Sequence, residues 1–499
     1  MECALMNVIR IHPSDTVAVA IEPLTAGQTV TVSDFGVLTV QENIPQGHKI
    51  ALVKHSPGDK IRKYGSVIGT ATAEIAPGAH IHTHNCQTTL SGTLSYHYAP
   101  DFHDLLRETP RTFAGYRREG GKAGIRNEIW IFPTVGCVNG IVTALAAEAT
   151  AKFAPRHTKI VAYTHPFGCS QLGEDAERTM ELLCGLIRHP NAAGVLVVGL
   201  GCENSPIPLL QTRLGTYDPT RVRFLACQDC ADEMAEGLSL LEALLAKSEM
   251  AVRKEIPASE LVIGLKCGGS DGFSGITANP LVGAVSDRLI AMGGSAILTE
   301  VPEMFGAETL LMARCQNEAI FQKTVDMVNG FKEYFLAHGE PVGENPSPGN
   351  KAGGITTLEE KSLGCTQKGG TAPVEDVLLY GEPIRTHGLS LLQAPGNDLV
   401  ASTALAASGA QLVLFTTGRG TPFGCPVPTM KLSTNTALAR KKPHWIDFDA
   451  GVLLDGGPMA ALADSLLDRI FAIASGVETA HSEALSRENL AIWKDGVTL

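Results

Sequence analysis

Between Asn127 and about Lys254, short apolar runs alternate with stretches in which apolar residues recur every three or four positions. The apolar runs are Ile129–Cys137, Ile160–Cys169, Val195–Cys202 and Val222–Cys227. The stretches with helical periodicity are Ile141–Phe153, Glu174–Arg188 and Asp232–Ala246. Strands that alternate with helices in this way predict a parallel sheet with right-handed crossovers.

Each of these predicted strands ends in a cysteine, and a fifth strand further along the chain does the same. The five residues are Cys137, Cys169, Cys202, Cys227 and Cys267. A single cysteine of this kind is most often a small buried hydrophobic residue. Parallel strands point their carboxyl ends the same way, and ligands bind at that edge of an open α/β sheet. We therefore expect some of these thiols to contact a metal or a substrate.

From Glu255 onward the pattern predicts a third, larger α/β domain. The predicted strands are Leu261–Leu265, Ala296–Thr299, Val377–Tyr380, Leu389–Gln393, Leu412–Thr416 and Trp445–Phe448. The predicted helices are Ala307–Cys315, Glu318–Ala337, Leu399–Ser408 and Met459–Ala474. The first strand leads into Lys266, Cys267 and a glycine-rich turn whose spacing matches neither the dinucleotide fingerprint nor the P-loop.

The segment from Gly339 to Ala372 shows almost no regular pattern. A loop this long inside a compact domain is usually functional or disordered. Its mixture of Asn, Lys, Cys, Thr and Gln with glycine favours a binding loop, which would carry Lys351 and Lys368. Arg419 in a later glycine-rich turn could clamp a carboxylate.

Met6–Tyr96 is predicted to form a small β domain, because short β-branched runs recur there without a helical period. Near its end, His80, His82 and His84 occupy alternate positions, which places them on one face of a strand. Such a face could present imidazoles to a metal or an anionic substrate, or it could be an exposed polar surface. Ala99–Arg118 is polar and aperiodic, as expected of a linker.

Composition narrows the functional classes. The 499 residues are enough for two or three domains, and the hydrophobic content of 44% is that of a globular protein. A formal net charge of −12 disfavours nucleic acids and anionic membranes as partners. We expect no membrane-spanning segment and no signal peptide, because long apolar runs are absent. The twelve cysteines are then thiols of a cytoplasmic protein.

Several long strings of residues resemble the altronate/galactarate dehydratase family of sugar-acid hydro-lyases. They are Gly-Ile-Arg-Asn-Glu at 124–128, Pro-Thr-Val-Gly-Cys-Val-Asn-Gly at 133–140, Gly-Leu-Gly-Cys-Glu-Asn at 199–204, Cys-Gly-Gly-Ser-Asp-Gly at 267–272, the ten residues from Thr299 to Glu308, the sixteen from Glu344 to Glu359, Gly-Cys-Thr-Gln-Lys at 364–368 and His-Trp-Ile-Asp-Phe-Asp-Ala-Gly at 444–451. The resemblance extends over essentially the whole chain. Cys86, Cys230 and Cys425 lie outside the family pattern.

The resemblance implies an α/β architecture with a small N-terminal β-clip (SAF-like) domain at residues 1–98. A linker at 99–118, a second α/β domain at 119–254 and a Rossmann-like α/β domain at 255–499 would follow. Both α/β domains would contain parallel sheets. We expect a homodimer.

The resemblance also implies dehydration of D-altronate to 2-dehydro-3-deoxy-D-gluconate in hexuronate catabolism, with a related aldonate or aldarate such as galactarate as the alternative substrate. The reaction removes a proton next to a carboxylate and expels the 3-hydroxyl as water. The site therefore needs a cation at the carboxylate, a base and an acid, and a divalent metal suits this chemistry.

The residues expected at the site follow from these needs. The catalytic candidates are His82, His84, Lys351 and Lys368. The substrate-binding candidates are Asn85, Arg126, Asn127, Glu203, Asn204, Ser270, Asp271 and Arg419. The metal-ligand candidates are His82, His84, Cys137, Cys169 and Cys202, for Fe²⁺ or Mn²⁺. The three cysteines could also hold an iron–sulfur cluster with one open iron, and the sequence does not choose between these centres.

Two questions stay open at this level. A nucleotide-dependent oxidoreductase or a sugar-binding regulator are rival functions, but a G-x-G-x-x-G motif after a first strand and a basic helix-turn-helix are both missing. The N-terminal domain could be a stabilising module. We expect instead that it completes the active site at a domain boundary, through His82 and His84.

Overall fold

The computed structural model describes residues 7–118, 120–204, 206–343, 345–485 and 490–496. Glu344, which belongs to the segment predicted to be a binding loop, lies outside the described residues, as does Met6 at the start of the predicted β domain. The described chain is mixed α/β. None of its helices is long and apolar enough to cross a membrane.

The N-terminal domain consists of short antiparallel strands, as predicted. They are β1 (Val8–Ile9), β2 (Val17–Ala20), β3 (Thr29–Val32), β4 (Gly36–Thr39), β5 (Lys49–Ala51), β6 (Lys60–Lys63), β7 (Ser66–Ala71), β8 (His80–Ile81) and β9 (Cys86–Gln87). Three small sheets have the orders β1-β2-β5-β8, β3-β4 and β6-β7-β9. Alternating buried positions in β3 and β6 show why: each strand covers its core with one face only.

The prediction that His80, His82 and His84 lie on one face of a strand is wrong. Strand β8 ends at Ile81, and residues 82–85 form a turn. The Asn85 amide closes this turn, because its Oδ1 accepts from the His82 N–H at 3.0 Å and its Nδ2 donates to the His80 carbonyl at 2.8 Å.

The segment expected to be a linker ends in a strand, β10 (Thr112–Arg117). It pairs antiparallel with β11 (Ala123–Gly124) and with a strand much later in the chain, Arg253–Pro257. This small sheet closes the second domain where the chain enters and leaves it.

The second domain contains the predicted four-stranded parallel sheet. Its strands are β12 (Glu128–Pro133), β13 (Ile160–Ala162), β14 (Ala192–Gly199) and β15 (Val222–Ala226), and the strand that leaves the domain is β16 (Arg253–Pro257). Its helices are α1 (Asn139–Lys152), α2 (Gly173–Ile187), α3 (Ile207–Leu214) and α4 (Glu233–Glu249). The order is β13-β12-β14-β15, and all neighbours are parallel. Every residue of β12 and β14 is buried, as expected of central strands covered on both faces.

The C-terminal domain is a seven-stranded parallel sheet flanked by helices. Its strands are β17 (Val262–Cys267), β18 (Ser295–Leu298), β19 (Val374–Leu378), β20 (Gly388–Leu392), β21 (Leu412–Thr417), β22 (Thr429–Ser433) and β23 (Phe448–Asp449). Its helices are α5 (Ala278–Ala291), α6 (Glu308–Met312), α7 (Glu318–Ala337), α8 (Pro348–Ala352), α9 (Leu358–Cys365), α10 (Asp398–Ala407), α11 (Thr436–Lys441) and α12 (Met459–Ala474). Strand β22 was not predicted from the sequence.

The strand order of this sheet is β19-β20-β18-β17-β21-β22-β23, with all neighbours parallel. The chain first builds outward from β17 on one side and then continues from β21 on the other. The order therefore reverses between β17 and β21, and a crevice at such a point is where open α/β sheets bind ligands.

The prediction of an irregular segment between Gly339 and Ala372 is wrong. The segment contains α8, α9 and a 3-10 turn at Thr366–Gly369. All eight residues of α9 are buried, including charged ones. A helix buried on every side shows no amphipathic period, so its sequence resembles a loop.

The N-terminal domain packs directly on the C-terminal domain. Apolar side chains of β2, β5, β6, β7 and β8 share one core cluster with Ala307 and with Leu363 of α9. The segment predicted to be a loop is therefore part of the interface between these domains.

Candidate active site

A cavity of about 370 Å³ lies at the carboxyl edge of the C-terminal sheet, where the strand order reverses. Cys267, the last residue of β17, and the two glycines after it form one wall. The start of α10 and residues of α8 form the others. The fold thus places a ligand-sized space at the position where this class of sheet binds ligands.

Three metal-ligand side chains meet beside this cavity. Cys267 ends β17, Glu303 lies in a 3-10 turn after β18, and Cys365 ends α9. The Cys267 Sγ is 3.4 Å from the Cys365 Sγ and 3.1 Å from the Glu303 Oε2, and all three residues are buried. In the described part of the chain, they are the one group of three or more such residues whose ligand atoms all lie within 4.8 Å of one another.

Three buried lysines surround these ligands. Lys368 Nζ donates to the Cys267 Sγ at 2.9 Å, Lys361 pairs with Glu303 at 2.7 Å, and Lys266 pairs with Glu300 and, at 2.9 Å, with Asp398. Burial alone would lower the pKa values of these lysines, but the adjacent carboxylates and thiols outweigh it and raise them. The three side chains are therefore cations in this arrangement.

The charges of this group are balanced when both thiols are protonated. Three lysines face three carboxylates, those of Glu300, Glu303 and Asp398. The hydrogen bond with Cys267, followed by burial, raises the pKa of Cys365 well above its usual value. A divalent ion with two thiolates would restore the same neutrality, because two positive charges replace two protons.

Glu300 adds a sign of local strain. It is fully buried, and its backbone adopts the left-handed region at φ 72°, which glycine normally occupies. The surrounding ion pairs hold it there, since its carboxylate bonds Lys266 and lies 3.6 Å from the Lys368 Nζ. Residues held in such conformations cluster at functional sites.

Four histidines of the N-terminal domain form a second group. They are His48, His80, His82 and His84, with ring centroids 4.8 to 5.7 Å apart in the close pairs. His48 Nδ1 lies 3.0 Å from His80 Nε2. Burial, followed by the positive charge of neighbouring groups, lowers the pKa of His80 to about 3 and that of His82 to about 4. The imidazoles of His80 and His82 are therefore neutral at neutral pH.

A buried ion triad joins this histidine group to α9. Glu360 of α9 binds Lys49 and Lys63 of the N-terminal domain, each at 2.8 Å. Lys49 also donates to Thr356 at 2.7 Å, and the Thr356 hydroxyl lies 2.9 Å from His82 Nδ1. The two lysines outweigh burial and lower the pKa of Glu360 to about 2, so its carboxylate is ionised.

Helix α8 lies between the cavity and the histidine group. Asn350 lines the cavity, while the carbonyl of Ala352 lies 3.4 Å from His48 Nε2. The backbone around α8 fits tightly: a side chain on Gly354 would meet the Gly47 carbonyl oxygen at 2.3 Å. Helix α8 and the residues after it therefore connect the cavity to the histidine group.

Four of the predicted site residues hold these loops together. Asn85 closes the histidine turn, the Ser270 carbonyl accepts from Asn350 at 2.9 Å, and Arg419 donates to the Gly349 carbonyl at 2.9 Å. Asp271 is half-buried and accepts from the Thr434 hydroxyl at 2.8 Å, and desolvation of its carboxylate raises its pKa. Lys351 lies half-buried on α8 itself.

Other predicted residues lie elsewhere. Arg126 precedes β12, at the amino end of the sheet, and its guanidinium forms a bidentate ion pair with Glu483 at 2.7 Å. Asn127 beside it accepts from Arg118 at 2.9 Å. These contacts occupy both side chains at the edge opposite to the one where ligands bind. Glu203, Asn204, Cys137, Cys169 and Cys202 lie at the carboxyl edge of the second-domain sheet.

The sequence analysis did not identify most of the residues that form the metal-ligand group, the ion pairs around it and the histidine group. The residues are His48, Lys49, Lys63, Glu300, Glu303, Glu360, Lys361, Cys365 and Asp398. A signal was available for some of them, because Glu300 follows a predicted buried strand and Cys365 lies in one of the quoted strings. The pairings join residues up to 311 positions apart, so one sequence could not reveal them.

Comparisons with known proteins cover the whole chain. Family models described as altronate/galactarate dehydratase SAF domain, D-galactarate dehydratase/altronate hydrolase second domain, and D-galactarate/altronate dehydratase C-terminal match residues 6–89, 115–249 and 258–498. The chain is 52% identical over 501 residues to an altronate dehydratase of Bacillus subtilis (strain 168) and 51% identical over 497 residues to one of Escherichia coli (strain K12). Both alignments cover 99% of this chain and 100% of the relative. A galactarate dehydratase (L-threo-forming) of Escherichia coli is 32% identical over 508 residues, covering 97% and 96%.

Proposed function

The chain belongs to the D-galactarate/altronate dehydratase family, and we propose that it is a hydro-lyase that removes water from altronate at the boundary between its N-terminal and C-terminal domains. The relatives at 51% and 52% identity support altronate as the substrate, because galactarate dehydratase is only 32% identical. The observation that carries the location is the buried group of Cys267, Glu303 and Cys365 beside a cavity.

The substrate chemistry matches the charges at this boundary. Removing the proton next to a carboxylate places extra negative charge on that carboxylate, so preorganised cations lower the barrier. Lys266, Lys361 and Lys368 stay protonated around the cavity wall. They are therefore placed to stabilise the charge that develops, without any change in their own protonation.

The ligands present fit an iron(II) ion better than a manganese(II) ion. Two thiolates and one carboxylate form a soft donor set that suits iron, whereas manganese prefers oxygen ligands. Cys267, Glu303 and Cys365 would hold the ion, which would act as a Lewis acid toward the hydroxyl or carboxylate oxygens of the substrate. Lys368 would then donate to a thiolate at Cys267 and orient it.

A neutral histidine is the proposed base. His82 keeps a pKa of about 4 and is fixed by Thr356, so it is neutral and oriented at neutral pH. Its role requires the substrate to extend along α8 from the cavity to the histidine group. Lys351 on α8 and Arg419, which holds α8, are proposed to bind the substrate carboxylate or hydroxyls.

Three further properties are also proposed. The strand order supports a Rossmann-like C-terminal domain, because it reverses between β17 and β21. No disulfide bond joins two of the described cysteines, which supports a reducing compartment such as the cytoplasm. A homodimer stays a prediction, and light scattering of the purified protein would test it.

The test of the substrate compares altronate with galactarate on the anaerobically purified, iron-loaded enzyme. We expect kcat/KM for altronate to exceed that for galactarate by at least ~10²-fold, since a site built for one carboxylate leaves the second one unpaired. Equal values, or a preference for galactarate, would contradict the substrate assignment.

A further inference from the structure

The second domain carries three exposed thiols at one edge of its sheet, Cys137, Cys169 and Cys202, here called the thiol edge. Cysteine is among the residue types most often buried. In the same chain the remaining described cysteines are buried or half-buried. Three exposed thiols at the edge where parallel sheets bind ligands therefore call for a functional explanation.

The sheet brings the thiols together. Strand β12 lies between β13 and β14, and each of the three strands leads into one thiol. Pro133 pairs with Val198 across β12 and β14, and Cys137 and Cys202 each follow their paired residue by four positions. Neighbouring strands lie about 4.8 Å apart, so the loops that carry the thiols start side by side.

The loops also touch one another. The Gly136 N–H donates to the Phe167 carbonyl at 2.8 Å, and the Asn204 N–H donates to the Gly168 carbonyl at 3.2 Å. A side chain on Gly168 would meet the Thr134 carbonyl oxygen at 2.1 Å. A glycine precedes each of the three cysteines. Where the contact is this close, only glycine fits, so the loops hold the thiols in a fixed arrangement.

The buried carboxylate and the buried imidazole near the thiol edge, those of Glu203 and His165, are already engaged. Glu203 is buried and accepts from the Thr134 hydroxyl and the Gly201 N–H, both at 2.6 Å. His165 uses both ring nitrogens, one with the Pro133 carbonyl at 2.9 Å and the other with the Phe167 N–H at 3.2 Å. Neither group is free to bind an ion, whereas the three thiols are exposed, and thiolates select a thiophilic centre.

The spacing of the three thiols disfavours a single bound ion. Among the described residues, the group whose ligand atoms all lie within 4.8 Å of one another is the one at Cys267, so the three thiols of the edge are spread more widely. An iron–sulfur cluster holds its cysteines around its own body, farther apart than a single ion does. Gln228 Nε2 donates to the Cys202 Sγ at 3.7 Å, the kind of contact that tunes such clusters.

We infer that Cys137, Cys169 and Cys202 bind an iron–sulfur cluster through three thiolates, leaving one iron free of a protein ligand. Each thiol releases its proton to solvent on binding, and iron and inorganic sulfide supply the rest of the cluster. The centre goes beyond the proposed function, because the active-site ion uses Cys267, Glu303 and Cys365. The open iron would accept an oxygen donor such as a hydroxy acid.

The test uses the full chain, reconstituted anaerobically with ferrous and ferric salts and sulfide and then desalted. Iron, acid-labile sulfide and the visible spectrum are measured for the wild type and for Cys137→Ser, Cys169→Ser and Cys202→Ser. We expect sulfide and a broad visible band in the wild type and loss of both in each variant. Because the three side chains are exposed, the thermal midpoints should stay unchanged and report intact folding.

Two controls separate this proposal from the active site. Cys230→Ser, four residues after the end of β15, and Glu303→Gln should both keep the labile sulfide. Iron without sulfide in the wild type would overturn the cluster, as would sulfide retained in any of the three thiol-edge variants. Loss of sulfide in Cys230→Ser or in Glu303→Gln would overturn the ligand assignment.

Discussion

The two parallel sheets place cysteines at the same topological position and surround them differently. At Cys267 the thiol is buried, 3.4 Å from Cys365, among lysines and glutamates whose charges balance. At Cys137, Cys169 and Cys202 the thiols are exposed, whereas Glu203 and His165 at the same edge are buried and hydrogen-bonded within the protein. A strand end that carries a cysteine therefore predicts where a ligand binds, while burial and neighbouring charge decide which ligand it is.

The largest expected effect comes from a substitution at the buried cysteine site. Glu303→Gln removes an anionic ligand and leaves Lys361 without its partner. We expect kcat to fall by ~10³-fold or more, because a Lewis acid contributes several kcal/mol. Steady-state assays of iron-loaded enzyme measure it, with Glu318→Gln on the exposed first turn of α7 as the matched control. A variant with near-normal kcat would remove Glu303 from the site.

The next effect concerns the ion triad that joins the N-terminal domain to α9. Glu360→Gln leaves Lys49 and Lys63 buried without their counter-ion. We expect a loss of ~3–5 kcal/mol in the free energy of unfolding, measured with denaturant. Glu74→Gln disrupts the exposed pair with Lys54 and should change stability very little. Equal effects of the two substitutions would show that the triad is not a stabilising contact.

The sequence analysis predicted elements whose apolar residues pack into a core. It did not predict elements whose buried charged residues pair with distant parts of the chain. Every residue of β14 is apolar or glycine and buried, so its apolar run was readable. Helix α9 is equally buried but contains Glu359, Glu360 and Lys361, so its sequence predicts a loop. Its charges are satisfied by partners from distant parts of the chain, such as Lys49 of β5. A local pattern carries no trace of such pairings.

The residues of the candidate site likewise fall into those that the sequence predicted and those that it did not. Cys267 was recognised as a strand end, and His82 was expected to act, although on a strand face that the structure replaces by a turn. Glu303 and Cys365 went unnoticed, because each becomes a candidate ligand only through its distance to Cys267.

A smaller effect tests whether the N-terminal domain takes part in the chemistry. His82→Ala should lower kcat by ~10²-fold, as loss of a general base does, with little change in stability. His103→Ala removes an exposed histidine and serves as the control. If His82→Ala retains wild-type kcat and KM, the domain is structural, and the histidine group does not belong to the site.

The smallest effect is a pH dependence located in the second domain. Burial lowers the pKa of His165 to about 4 and that of His189 to about 3. In the unfolded chain both imidazoles become protonated as the pH falls below about 6.5, whereas in the folded protein they stay neutral. The free energy of unfolding therefore decreases as the pH falls from about 6.5 toward 4. Each histidine should cost up to about 2 kcal/mol at pH 5. Denaturant unfolding at pH 7.5 and 5 measures this, and an unchanged pH dependence in His165→Gln would contradict it.

The most direct test of the central claim is diffraction at the iron absorption edge from anaerobically grown crystals of the active, iron-loaded enzyme. We expect an anomalous peak bounded by the Cys267 and Cys365 sulfurs and the Glu303 carboxylate, and its loss in crystals of Glu303→Gln. An active enzyme without iron at that position, or with its iron held by His48, His80, His82 and His84, would contradict it.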